Sequence, residues 1–365
     1  MALSTRDAQG CISLAEKAAF LSDPAAYFGV GREVEAIETH MSWVFLIGEH
    51  AFKLKKPARF AYLDFSTLAA READCRAELT LNRRLAPDVY LRVAPLVITP
   101  DAMLKLDGEG EVVDWLVVMR RLLADRMLDK LIADHALEKA AIDRLAGALA
   151  KFYRFAERPV VPPREYFRRL DTEEEDNHDI LTQHRFAIDH GRTRSVVNRM
   201  ASALAGNQFL LEGRASAGFL VDGHGDLRPE HVCFQNGVVI FDCLEFSATL
   251  RQVDPVDDIA YLAIECARLG ADWVGPSLLK RVMEGLGWPD PGSSIRFTRR
   301  DAPCCAHGWL YRTCSMRSRD NLGGGSRWRR STSVSRRRRS TSWTPARLTL
   351  AGALWRVAAQ AGLAN

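Results

Sequence analysis

Two short acidic motifs lie on either side of a hairpin signal: His224-Gly225-Asp226 comes first, and Val238-Val-Ile-Phe-Asp242 follows sixteen residues after the first aspartate. Moving a phosphoryl group from ATP to a hydroxyl takes one carboxylate to orient the hydroxyl and accept its proton. It takes a second to hold the metal ion that bridges the phosphates. Asp226 and Asp242 fit that division of labour, with Gly225 supplying a backbone turn that sends His224 inward and Asp226 toward a cleft. The plain alternative is a pair of solvated turn carboxylates, which would not need this joint spacing.

The elements that must position these groups are legible from periodicity. Gln235-Asn236-Gly237 is a two-strand turn signal between Val232–Phe234 and Val238–Phe241. Upstream, Trp43–Ile47 and Ala51–Lys55 read as strands around Gly48-Glu49-His50, and Pro57 ends the second. The stretch from Leu68 to Leu85 has helical apolar spacing, with Ser66 as its N-cap and Pro87 as its stop. Tyr90–Ile98 and Val112–Met119 are further strands, the second apolar enough to be interior. Beyond Leu122 the pattern turns helical: Met127–Ala133, Glu138–Phe155 and most of Tyr166–Leu211. The acidic run Asp171–Asp176 reads as a solvated helix start rather than a lure for a polycation.

His-Gly-Asp, a fifth following position, then a hydrophobic strand ending in Ile-x-Asp is similar to the pattern of aminoglycoside phosphotransferases and related small-molecule kinases. Glu38–Leu46, Phe52–Pro57, Leu63–Leu68 and Leu81–Pro87 resemble an uncharacterised bacterial branch of that family, and the likeness covers residues 35–270. Members of the branch often carry an added P-loop kinase domain, and no G-x-x-x-x-G-K-[ST] occurs in this chain.

The resemblance implies a two-lobed, protein-kinase-like α+β fold. Residues 1–121 would form a small β-rich nucleotide-binding lobe and residues 122–298 a larger helical catalytic lobe. It implies ATP and Mg2+ as cofactors and a small-molecule hydroxyl as acceptor. Asp226 becomes the catalytic base, with His224 and Arg228 beside it in the loop, and Asp242 the metal ligand. His231 stands where the family pattern has a metal-binding Asn. It is either a second ligand, which would admit Mn2+, or a hydrogen-bonded loop histidine.

Kinases of this kind also need a strand lysine on the phosphates, paired with a helix glutamate. Alternation puts Lys53 and Lys55 on one face of their strand, with Lys53 nearer its centre. Glu78 shares a helical stripe with Cys75 and Asn82 and is preferred over Glu72 as the partner. No G-x-G-x-x-G loop is present, so Thr39–Ser42, with the Ser42 hydroxyl, would cover the phosphates. Met119-Arg120-Arg121 would be the hinge that binds adenine, and Asp258, in Asp254-Pro-Val-Asp-Asp258, would support the catalytic loop.

Composition bounds the remaining choices. In a chain of 365 residues, 47% hydrophobic and 26% charged content is ordinary globular usage, enough for one large or two medium domains. No apolar run approaches the roughly 20 residues of a membrane span, and the N-terminus lacks signal-peptide order, so a cytoplasmic protein is expected. The eight cysteines show no C-x-x-C pair and read as reduced, buried thiols. Net charge is +4, yet residues 296–345 hold 13 Arg against two acids, leaving residues 1–295 near −9. Nucleic acid is therefore not expected to partner the main body. The Arg-rich segment 299–345 reads as disordered or frame-shifted, with a basic nucleic-acid arm as the rival. A rival for the whole chain is an ATP-binding pseudokinase without efficient catalysis.

Overall fold

The computed structural model describes residues 12–27, 33–60, 63–182 and 189–288. These divide into two compact units, one made of the chain up to Val160 and from Phe219 onward, the other of Val161–Gly218. Every candidate site residue belongs to the first unit. The Arg-rich segment 299–345 lies outside the described residues.

The first unit is built on a six-stranded antiparallel sheet. Its strands are β1 (Glu35–Glu38), β2 (Ser42–Ile47), β3 (His50–Lys55), β6 (Tyr90–Ile98), β7 (Leu104–Leu106) and β8 (Glu111–Arg120), in the order β1-β2-β3-β8-β6-β7. A separate two-residue pair, β4 (Arg59–Phe60) with β5 (Leu63–Asp64), follows β3. The turn between β2 and β3 passes through Gly48 at φ 53°, a left-handed conformation that favours glycine. As its apolar run implies, β8 is interior, and Leu116, Val117 and Val118 are buried between β3 and β6.

Period-2 alternation sorts β3 between two cores. Phe52 and Leu54 join Phe45, Leu96, Leu116 and Val118 on one face, where Leu21 of α1 (Leu14–Leu21) packs. Ala51 joins Cys75, Tyr90, Val117 and Met119 on the other, with α2 (Leu68–Asn82) over it. Lys53 and Lys55 therefore leave the sheet on the α2 side. Helix α2 begins at Leu68, as expected, but its cap differs. Thr67, not Ser66, caps it by accepting from Ala70 N at 3.1 Å, because the Ser66 hydroxyl is taken by Asp64. The helix ends at Asn82 rather than Leu85, with residues 83–86 turning toward β6.

After β8 come α3 (Leu128–Ala133) and α4 (Lys139–Phe155), whose inner stripe of Ile142, Leu145, Leu149 and Tyr153 is fully buried. From Phe219 the chain forms the short strands β9 (Val221–Asp222), β10 (Val232–Cys233), β11 (Val239–Ile240) and β12 (Gln252–Val253). It then forms α8 (Ala248–Arg251), α9 (Pro255–Arg268) and α10 (Val274–Leu286), and α10 packs on α4 and α9. β10 and β11 make the expected hairpin, with Asn236 at φ 53° and Gly237 at φ 120°. The result is α+β, with strands first and helices after, the class expected from the sequence.

The second unit holds α5 (Pro163–Leu181), α6 (His190–Gly206) and α7 (Gln208–Ser216), and α5 packs on both others. The acidic run Asp171–Asp176 falls inside α5, not at its start, and Glu174 within it is buried. No helix of the described residues is long and apolar enough to cross a membrane.

Candidate active site

The loop that carries Asp226 is fixed from behind by one carboxylate. Asp258, fully buried at the start of α9, accepts from His224 N at 2.9 Å and Gly225 N at 3.0 Å, and Tyr153 Oη donates to it at 3.2 Å. Glycine is required beside it. A Cβ on Gly223 would come within 2.6 Å of Asp258 Oδ2, and Gly225 sits at φ 77°. Arg84 and Arg251 converge on Asp222 at the loop's entry, at 3.0 and 2.7 Å.

His224 was grouped with Asp226 on sequence, but it has no nitrogen left for proton transfer. Its Nδ1 accepts from Asp226 N at 3.2 Å, which leaves Nε2 to donate to the Phe241 carbonyl at 2.9 Å. Burial drives its pKa down to about 3, so the ring is a neutral strut that joins the Asp226 loop to the strand end carrying Asp242.

Asp226 itself is mostly buried. Desolvation pushes its pKa up to about 6, against the opposing pull of His231 and Arg228. That shift moves the pKa closer to neutral pH, where an ionised carboxylate takes up a proton more readily. Arg228 turns to Glu230 at 2.9 Å and adds positive charge to the loop.

Asp242 adopts a left-handed backbone, φ 60°, that is uncommon for a residue with a Cβ. Two side chains from other elements brace this turn: Asp242 N donates to Tyr90 Oη at 3.2 Å, and Cys243 N to Asn82 Oδ1 at 2.9 Å. Strained backbone held by its surroundings is a feature of functional sites. Burial alone would raise the Asp242 pKa, but Lys53 and His231 hold it well below the usual carboxylate range.

Lys53 joins the two halves. Its Nζ lies 2.9 Å from Glu78 Oε1 and 2.8 Å from Asp242 Oδ1. Glu78 is fully buried, whereas Glu72, the other candidate, spends its carboxylate on Arg76 at the surface. Lys55 lies deeper, at 2.5 Å from Asp74, 2.6 Å from Glu78 Oε2 and 2.5 Å from Glu245. Sequence reasoning assigned no role to Asp74, Glu245, Asn82, Tyr90 or Arg84. Asp74, Glu78 and Asn82 recur every four residues on the buried side of α2, and this polar stripe was the available signal.

Three expected nucleotide contacts are otherwise engaged. Ser42 is 3% exposed, and its hydroxyl pairs with Thr39 Oγ1 at 2.9 Å, closing the β1–β2 turn instead of projecting toward a phosphate. Met119 packs into the core under α2. At the expected hinge, Arg120 N donates to Val89 O, Arg121 N to Glu49 O and Leu123 N to Gln235 Oε1, so these three amides are committed.

His231 lies between the two aspartates: Nδ1 is 3.7 Å from Asp226 Oδ2, and Nε2 is 3.5 Å from Asp242 Oδ2. Among the described residues no group of three or more His, Cys, Asp or Glu side chains could hold a metal ion alone. A divalent ion here would have at most Asp242 and His231 as protein ligands and would draw the rest from phosphates and water. Magnesium and its relatives commonly bind nucleotides that way. The donor set therefore fits a metal shared with a nucleotide.

No family model matches the chain. It is 32% identical over 257 residues to uncharacterized proteins of Mycobacterium tuberculosis and Mycobacterium bovis, a match covering 67% of this chain and 48% of those. The chain thus spans about half the length of the curated relatives it matches. Among solved structures it is similar to a choline/ethanolamine kinase family protein from Mesorhizobium loti, with 15% identity, TM-score 0.48, and 85% of this chain and 88% of that one covered. It is also similar to an aminoglycoside phosphotransferase from Streptomyces rimosus solved with ADP and streptomycin, with 15% identity, TM-score 0.43, and 78% and 94% covered. Likenesses of this strength leave the chain's own residues to carry the functional reading.

Proposed function

We propose that this chain is an ATP-dependent phosphotransferase of the aminoglycoside phosphotransferase kind, moving the γ-phosphoryl group onto a hydroxyl of a small molecule. One observation carries the reading. The Lys53 ammonium joins a buried helix glutamate, Glu78, to a strained strand-end aspartate, Asp242, and a histidine stands between that aspartate and Asp226. These are the positions a phosphate clamp, its orienting partner, a metal ligand and a base require.

In this mechanism Asp226 orients the acceptor hydroxyl and takes its proton, helped by a pKa that burial lifts to about 6. Lys53, held by Glu78, places an ammonium on the α- and β-phosphates. Asp242 would hold a divalent ion, which when bound neutralises charge on the phosphates. Asp258 and His224 keep the base loop in place and touch no reacting atom. The nature of the acceptor is set by side chains outside this core, so a panel of hydroxylated metabolites and aminoglycosides is the natural screen.

The test is Asp226→Asn. Turnover of ATP in the presence of an accepted substrate should fall by roughly 10²–10⁴ while nucleotide binding persists, because the base acts on the acceptor. Full turnover in that variant would overturn the mechanism. Tight nucleotide binding by the wild type with no turnover on any acceptor, under Mg2+ or Mn2+, would favour the pseudokinase reading instead.

A further inference from the structure

The imidazole between the two aspartates is oriented by more than packing. Its Nδ1 lies 2.8 Å from the carbonyl oxygen of Asp226, an atom that can only accept, so Nδ1 carries the hydrogen and Nε2 is turned to Asp242. A second hydrogen bond at the far ring nitrogen is the usual way a metal-binding histidine is aimed. On the other side, one oxygen of Asp242 is held by Lys53 at 2.8 Å, and Oδ2 is left facing His231.

The separation of these two atoms is informative. At 3.5 Å, Nε2 and Oδ2 are too far apart for an ordinary hydrogen bond. Two adjacent ligands at about 2.1 Å from one ion, subtending about 90–110°, lie about 3.0–3.4 Å apart, close to the observed gap. The backbone fixes the bite, since Phe241 N donates to His231 O at 3.0 Å, tying the histidine to the residue before Asp242. The ring also packs against Phe241 and His224, with centroids 5.9 and 6.1 Å away, and its side chain is only 13% exposed.

We propose that His231 is a ligand, with Asp242, of the divalent ion in this site, and that its nitrogen makes the site prefer a transition ion such as Mn2+ over Mg2+. The proposal rests on the phosphotransferase reading, because a nucleotide must supply the remaining oxygens. Magnesium is a hard ion that takes oxygen ligands and gains little from imidazole, whereas first-row transition ions bind it well.

The experiment uses the full chain, grown with 15N-histidine, loaded with Mn2+ and a non-hydrolysable ATP analogue, and read by pulsed electron paramagnetic resonance. A 15N coupling on the bound Mn2+, absent in His231→Asn, is expected. In competition titrations the wild type should favour Mn2+ over Mg2+ at least about tenfold more than the nucleotide alone does, and His231→Asn should lose that excess. The labelled wild type decides the question even if the variant folds poorly. Nucleotide and Mn2+ bound without histidine coupling would overturn the proposal and leave the phosphotransferase reading standing. Failure to bind nucleotide with any ion would overturn both.

Discussion

Lys53 and Lys55 leave the same face of β3 two residues apart and meet different surroundings. Lys55 is 2% exposed, and three carboxylates, of Asp74, Glu78 and Glu245, close on it at 2.5–2.6 Å, with the Phe65 ring 5.3 Å away. Lys53 keeps 15% of its side chain exposed and meets two carboxylates, one of them on Asp242. An ammonium has three hydrogens to donate. Lys55 is ringed by three ion-pair partners, of which Glu245 accepts its hydrogen bond, whereas Lys53 donates to Glu78 and Asp242 and keeps a third hydrogen for a ligand. Burial works to lower both pKa values, but the carboxylates around them win and hold both lysines charged. Glu78 belongs to both shells. The sealed pair fixes the glutamate, and the open pair presents an ammonium whose position that glutamate sets.

The sharpest way to break this comparison is Lys55→Met, which leaves the Asp74 and Glu245 carboxylates without their ammonium and Glu78 with Lys53 alone. Removing one partner from a buried ion cluster costs about 3–5 kcal/mol, and urea denaturation should show a loss of that size. At a temperature where the variant stays folded, nucleotide affinity should fall much less than in the next variant. Lys53→Met should instead cost about 10²–10³ in kcat/KM, the range seen when one preorganised donor to a reacting group is removed, with a smaller loss of stability. If Lys53→Met proved the unfolding change and Lys55→Met the kinetic one, the roles assigned here would be exchanged.

Much of this division was legible in the sequence, because it follows from local periodicity. Alternation along Ala51–Lys55 placed both lysines on one face, helical spacing brought Glu78 to that face, and Asn236-Gly237 announced the hairpin between the aspartates. What could not be read depends on partners far apart in the chain. Lys55 meets Glu245 across 190 residues, and Arg84 meets Asp222 across 138. Ser42 illustrates the converse error: its hydroxyl suited a phosphate, but the neighbouring Thr39 claims it, as serine side chains in turns often bond locally. The same local competition took the N-cap of α2 from Ser66 and gave it to Thr67.

A smaller effect should appear when the shell is relieved of charge. In Lys55→Met combined with Glu245→Gln, compared well above pH 8 where Glu245 gives up its proton, a carboxylate that has lost its ammonium becomes a neutral amide of nearly the same shape. The pair of changes should recover about 1–2 kcal/mol of the loss caused by Lys55→Met alone, since residues in direct contact are not additive. Simple additivity in the double-mutant cycle would mean that Lys55 and Glu245 do not interact energetically, despite their 2.5 Å separation.

The last expected effect concerns pH and tests whether the Lys55 shell is overcharged. Around the two lysines stand four carboxylates, those of Asp74, Glu78, Asp242 and Glu245. Burial first, and then Glu78 and Asp74, push Glu245 up to about 8, with Lys55 and Lys53 pulling the other way. A carboxylic acid whose pKa is higher folded than unfolded binds more protons in the native state between those two values. Stability therefore falls as pH rises from about 4.5, the unfolded value, to about 8, and the loss is complete above that. The slope contributed by one such group is at most about 1.4 kcal/mol per pH unit, and less where Lys55 competes for the charge. Urea denaturation of the wild type and Glu245→Gln at pH 6.0, 7.0 and 8.5 should show a decline in the wild type that the variant, unable to ionise, lacks. Parallel pH dependence in the two proteins would mean that Glu245 is already ionised across this range and that Lys55 alone balances its shell.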